Sequence, residues 1–196
     1  MAYNHFNKTK IIIAVSLIIF GTIGRILLKD LPNIETVTVA SLLAGSILGG
    51  FWAVIVPLII IALSDMFIGN DPILIFTWSA WAVIGLGARL LYRKRKNTYK
   101  FVFQITGLGI LASVFFYLWT NFGVWLFWNM YPRNFSGLIQ CYFMGLPFLR
   151  NNLASDLIFI PVISASVVFC VKYYKQRLRK AKYEFTTGVN NNCHQK

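Results

Sequence analysis

Charge is what this sequence has least of. Only 13% of its 196 residues are charged and six are acidic, where a soluble domain of ordinary composition carries about 25% charged residues. Long stretches hold no charge, and the basic residues gather in a few clusters, which excludes a second, soluble domain. Familiar catalytic signatures are missing too. The chain has no G-x-x-x-x-G-K-[ST] phosphate loop, no G-x-G-x-x-G, no H-E-x-x-H and no G-x-S-x-G, so neither ATPase nor hydrolase chemistry is expected of it, and no resident cofactor. Histidine is confined to His5 and His194, both in terminal tails. Cys141, Cys170 and Cys193 lack metal-ligand spacing and form no disulfide framework. A base would have to be Asp65, Asp156 or Glu35, with no nucleophile beside it, so no catalytic residue is assigned.

What remains is apolar: 57% of residues are hydrophobic and 16% aromatic. The hydrophobic runs are Ile11–Leu28, Thr36–Ser64, Pro72–Tyr92, Phe101–Trp128 and Leu153–Val171. About 20 residues of helix cross a bilayer, so the second run reads either as one tilted helix or as two short ones. Charge parity decides. Lys and Arg of short loops stay on the cytoplasmic side. A single helix here would put Lys8 and Lys10, the cluster 93–96 and the basic tail on different sides. Splitting the run at Gly49-Gly50, a natural turn, brings all three inside.

The reading is all-α, one integral membrane domain over 1–196. Six transmembrane helices are expected at about 11–28, 36–48, 51–68, 72–92, 101–128 and 153–172, with both termini cytoplasmic and the tail 173–196 partly disordered. Fifteen of the nineteen basic residues then lie inside, and five of the six acids outside. The cytoplasmic (inner) membrane is the implied location. The first run, longer than a usual signal-peptide core and without an A-x-A site, is expected as a retained helix. The net charge of +13 points to anionic lipid at the basic tail; nucleic acid is not an expected partner, because no soluble module presents the charge.

Polar groups inside a membrane are costly, so their placement is informative. In the six-helix reading most fall at the outer ends. Arg25, Asn33 and Glu35 belong to the first outer loop, and Asp65 and Asn70 to the second. Asn121, Arg150, Asn152 and Asp156 belong to the third. Each alone could cap or snorkel: Asp71-Pro72 has the form of a helix start, and Asn151 or Asn152 could cap the last helix. Together they favour a shared polar site. The stretch Asn121–Asn152 is long and aromatic, too apolar for disorder. It is expected to extend the fifth helix to about Trp128, turn at Tyr131-Pro132 and form a short interfacial helix near Ser136–Met144, covering a binding site. An aromatic belt is the other reading of Trp125 and Trp128. Small residues Ala40, Ala44, Gly45 and Gly49 form a stripe for close helix approach, either within the chain or against another subunit.

These segments resemble the substrate-binding (S) components of energy-coupling factor transporters. The resemblance spans roughly 11–172. It rests on Thr38-Val-Ala-Ser-Leu-Leu-Ala-Gly45, the turn Gly49-Gly50-Phe51-Trp52, Leu63-Ser64-Asp65, and Asn121-Phe-Gly-Val-Trp125 with Tyr131-Pro132, Gly137-Leu138, Cys141-Tyr142, Pro147-Phe148, Asn152 and Asp156 downstream. It is similar to an uncharacterised branch of that superfamily. The resemblance implies six helices, an outward-opening pocket for a vitamin or other micronutrient, and no ATPase activity of its own. It also implies partnership with a transmembrane coupling protein and cytoplasmic ATPase subunits, the S component toppling to release ligand inside. Arg25, Asn33, Glu35, Asp65, Asn70, Asn121, Arg150, Asn152 and Asp156 would supply polar contacts, and Trp78, Trp125 and Tyr131 would stack on the ligand. One departure concerns docking: Ala14 is followed by Ile18 where many members have Ala-x-x-x-Ala, and that spacing occurs instead at Ala40 and Ala44. A six-helix scaffold of the cell-shape type and a membrane enzyme acting on lipid-linked substrates are the alternative functions.

Overall fold

A computed structural model describes residues 2–31, 33–69, 72–92 and 97–193, with side chains placed from Lys8 as far as Arg179, apart from Lys175 and Leu178. Among the described residues six helices follow one another: α1 (Ala2–Leu27), α2 (Val37–Leu43, running into a π-helical turn Ala44–Leu48), α3 (Trp52–Ile68), α4 (Leu74–Ala88, ending in a 3-10 turn Arg89–Leu91), α5 (Thr98–Phe127) and α6 (Phe135–Cys193). Among the described residues there is no strand. Lys8–Leu27, Leu74–Leu91, Thr98–Phe127 and Phe135–Tyr174 are long and apolar enough to cross a membrane, while Val37–Leu48 and Trp52–Ile68 are apolar but shorter. The chain is a membrane-embedded, multi-pass protein.

The outer surface shows why. On α1, Ile11, Val15, Ile19, Ile23 and Leu27 recur every four residues and are exposed, whereas Ala14 and Leu17 face the bundle. An apolar stripe turned outward fits lipid as its solvent.

The run Thr36–Ser64 divides at Gly49-Gly50, as charge parity required. Both glycines have positive φ, 62° and 60°, a region that side chains with a Cβ avoid. The helix before this turn is the centre of the bundle. Every residue from Val37 to Leu48 is buried, and α2 touches all five other helices. Its hydroxyls satisfy themselves on their own helix: Ser41 donates to the Val37 carbonyl and Ser46 to that of Leu42, both at 2.7 Å.

The small-residue stripe is therefore an internal seam. A methyl group on Gly45 would lie 2.2 Å from the Gly85 carbonyl oxygen, and one on Gly85 would lie 1.9 Å from the Ala53 carbonyl oxygen. That last oxygen is special. Pro57 stands four residues beyond Ala53 and has no N–H, so the Ala53 carbonyl lacks its helical donor. Gly85 lets α4 press its backbone against this spot. Ala40 and Ala44 are 0% exposed within the chain, so these small residues serve close helix contact inside the bundle.

The sharpest departure from expectation is α6. Sequence reasoning began the last helix at 153 and put a separate interfacial helix at 136–144; the structure runs one helix from Phe135 through Pro147 and Pro161 to Cys193. The Asn134 side chain starts it by accepting the Gly137 N–H at 2.8 Å. Packing along α5 then carries it on: the Tyr117 hydroxyl donates to the Tyr142 carbonyl, and the Tyr142 hydroxyl to the Leu118 carbonyl at 3.2 Å. Asn151 and Asn152 sit mid-helix and cap nothing, and the tail to Cys193 is helical where partial disorder was expected.

Two lysines tie the start of α1 and the middle of α6 to neighbouring turns. Lys10 donates to the Leu48 carbonyl at 3.2 Å and lies over the Tyr92 ring, and Lys172 bonds the Thr98 hydroxyl. The cluster Arg93–Lys96 and Asp71 lie outside the described residues.

A candidate ligand cavity at the far end of the bundle

Glu35 and Asp65 lie together at another end of the bundle, around Arg25. The last turn of α1 brings in Arg25, whose guanidinium pairs with Asp65 on α3 and donates to the Ser64 hydroxyl at 2.6 Å. The second Asp65 oxygen accepts from the Trp78 indole on α4 at 3.1 Å. Asp65 is thus held from two helices at once. The α1–α2 connection adds Asn33, in a left-handed conformation with φ 56°, and Glu35. The Glu35 carboxylate is 3.9 Å from the Arg25 Nε, too long for a hydrogen bond. Burial pushes its pKa up to about 7; Arg25 pulls it down and Asp65 pushes it further up.

Above Arg25 and Glu35 opens a cavity of about 490 Å³, within the usual range for small-molecule sites. Thr77 and Trp81 of α4 form one wall, and Phe116, Thr120, Asn121 and Val124 of α5 another. Trp128, Met130 and Tyr131 form part of the rim, and Cys141, Met144 and Phe148 come from the first turns of α6. The Trp81 and Phe116 rings lie 4.6 Å apart, tilted by 33°. The Trp81 indole N–H is buried without a hydrogen-bond partner.

Of the residues singled out from sequence, Arg25, Asn33, Glu35, Asn121 and Tyr131 line this cavity. Asp65 and Trp78 stand behind Arg25 and hold it. Trp125 donates to the Pro132 carbonyl at 3.0 Å, tying down the α5–α6 connection. Arg150 is exposed. Asn152 and Asp156, 2% and 1% exposed, lie deeper. There the Ser113 hydroxyl and Asp156 Oδ2 are 2.6 Å apart, while the Asn152 and Asp156 Oδ1 atoms meet no partner. Asn70 lies outside the described residues. Sequence reasoning missed Thr77, Trp81, Phe116, Thr120, Cys141 and Met144. The α5 members had a signal, since Phe116, Thr120 and Val124 recur at four-residue spacing beside Asn121; Trp81 had none, being one tryptophan in an apolar run.

The DUF6580 family, described as a family of unknown function, matches residues 5–179. The chain belongs to this family. Every cavity residue falls within the DUF6580 match. Neither a curated protein nor a solved structure matches the chain.

Proposed function

We propose that this DUF6580 protein is the substrate-binding membrane subunit of an importer of the energy-coupling factor type, capturing a vitamin or other small micronutrient at the outer face. The cavity carries this reading. It has the volume for a molecule of vitamin size, aromatic walls and a charged floor, and it lies beneath the aromatic α5–α6 connection. Six spans with both termini in the cytoplasm are part of the proposal. Charge asymmetry supports them, as do the contacts of Lys10 with Leu48 and Tyr92 and of Lys172 with Thr98. Energy for uptake would come from a transmembrane coupling protein and cytoplasmic ATPases, since the chain has no phosphate loop. A scaffold would need no such cavity.

The test is purification in mild detergent followed by mass spectrometry of small molecules released on denaturation. A compound of a few hundred daltons should accompany the wild-type protein and be missing from Thr120→Trp, which fills the cavity. Recovery of no small molecule from the folded wild-type protein would refute the proposal.

A further inference from the structure

One charge of the cavity is only weakly paired among the described residues. Among the described residues Arg25 is the only cation in its wall, and Arg25 is engaged by Asp65 and Ser64. Asp65 is engaged in turn, one oxygen by Arg25 and the other by Trp78. Glu35 is left. Its side chain keeps 13% of its exposure and, among the described residues, meets the Arg25 Nε at 3.9 Å. Arg25 and Asp65 cancel, so an ionised Glu35 leaves the floor one negative charge in excess.

The walls favour the same sign of ligand. Trp81, Phe116, Trp128, Tyr131 and Phe148 surround the space, and the faces of aromatic rings are negative and attract cations. The mixture of rings, amides and a single acid suits an organic cation better than a bare metal ion. Among the described residues no group of three or more His, Cys, Asp or Glu gathers to hold a metal.

We propose that the ligand is a small organic cation built on a flat ring, its positive charge set against Glu35 and its ring against the aromatic wall to which Phe116 and Tyr131 contribute. This rests on the capture role proposed above and narrows it to a charge class. Arg150 and Arg133 are exposed, where water and salt screen them. The Glu35 carboxyl, held at about 7, gives up its proton as a cation arrives.

Three soluble probes of one ring size separate the charge classes: 1-methylnicotinamide (cation), nicotinamide (neutral) and nicotinate (anion). Binding to the full chain in nanodiscs is measured by calorimetry at pH 7.5. The cation should bind at least tenfold more tightly than nicotinamide, and nicotinate most weakly. In Glu35→Gln the ratio of cation to nicotinamide affinity should fall below twofold. In Asp65→Asn, Arg25 and Glu35 balance and the floor is neutral, so the ratio of cation to nicotinamide affinity should fall there too; if that variant does not fold, the isosteric Glu35→Gln decides. Nicotinate bound as tightly as the cation, no binding of any probe, or an unchanged ratio in Glu35→Gln would each overturn the charge class. Failure of the capture role reads differently: no small molecule would accompany the purified protein. A co-purified anion would leave capture standing and the cation refuted.

Discussion

Arg25 is paired with Asp65 across the cavity end of the bundle, on helices 40 positions apart in sequence. The pairing joins α1 to α3, and with the Trp78 indole on the same carboxylate it draws in α4. It also sets the polarity of the cavity, because an arginine held this way does not serve as a free cation. Both side chains are largely buried, 18% and 7% exposed, so removing one partner strands the other.

Deleting the pair as a unit should therefore cost less than breaking it. Arg25→Met and Asp65→Asn are each expected to lower the melting temperature in detergent by several degrees. The double variant should lose less than the sum of the two, a coupling of about 1–3 kcal/mol. Additive losses would show that the pair is not coupled.

Glu35 should give the protein a stability that falls as pH rises. Its ordinary value of 4.5 is raised to about 7 in the folded protein, so between those values the folded state binds the proton more tightly than the unfolded state. The contribution is full below about pH 4.5 and is lost as pH rises through 7, a span of at most about 3 kcal/mol. Arg25 and Asp65 act on Glu35, and Asp156 on α6 is a further carboxylate coupled to it. Melting curves from pH 5 to 8 should show a decline that Glu35→Gln flattens; parallel curves for the two proteins would contradict it.

Two glycines on α4 should behave oppositely. A methyl on Gly85 would lie 1.9 Å from the Ala53 carbonyl oxygen, whereas one on Gly87 meets nothing within 4 Å. Gly85→Ala is expected to destabilise by about 1–3 kcal/mol or more, because the obstacle is backbone. Gly87→Ala should be neutral or stabilising by up to about 1 kcal/mol through helix propensity. Thermal denaturation of the two variants side by side checks the contrast.

Single cysteines in a cysteine-free background test the topology. Lys8→Cys and Arg179→Cys should react with a membrane-impermeant maleimide only after the cells are opened. Asn129→Cys and Arg133→Cys, both at exposed positions, should react in intact cells. Labelling of Lys8→Cys and Asn129→Cys from the same side would reverse the six-span reading.

Much of the fold was legible because membrane insertion is read locally. Run length, charge parity and the Gly49-Gly50 pair are properties of consecutive residues, and lipid responds to them without reference to distant parts of the chain. The α2–α3 split is visible at that level. The α6 start was misplaced because Asn134 and Gly137 made a weaker sequence signal than Asn151-Asn152, while the hydrogen bonds from Tyr117 and Tyr142 that carry α6 along α5 join residues 24 and 25 apart.

By itself the sequence determined that this chain lives in a membrane, that the run Thr36–Ser64 breaks at Gly49-Gly50, and that Arg25, Glu35 and Asn121 belong near a polar site. Only the tertiary structure decided how those groups are spent. Asp65 takes Arg25 while Glu35 stays without a strong partner, Asp156 turns to Ser113 away from the cavity wall, and the small stripe of α2 closes on α3 and α4 within the chain. The reason is physical. Burial in lipid sums over each segment's own residues, whereas charge pairing and backbone contact depend on distances of a few ångströms between helices, which no spacing along the chain specifies.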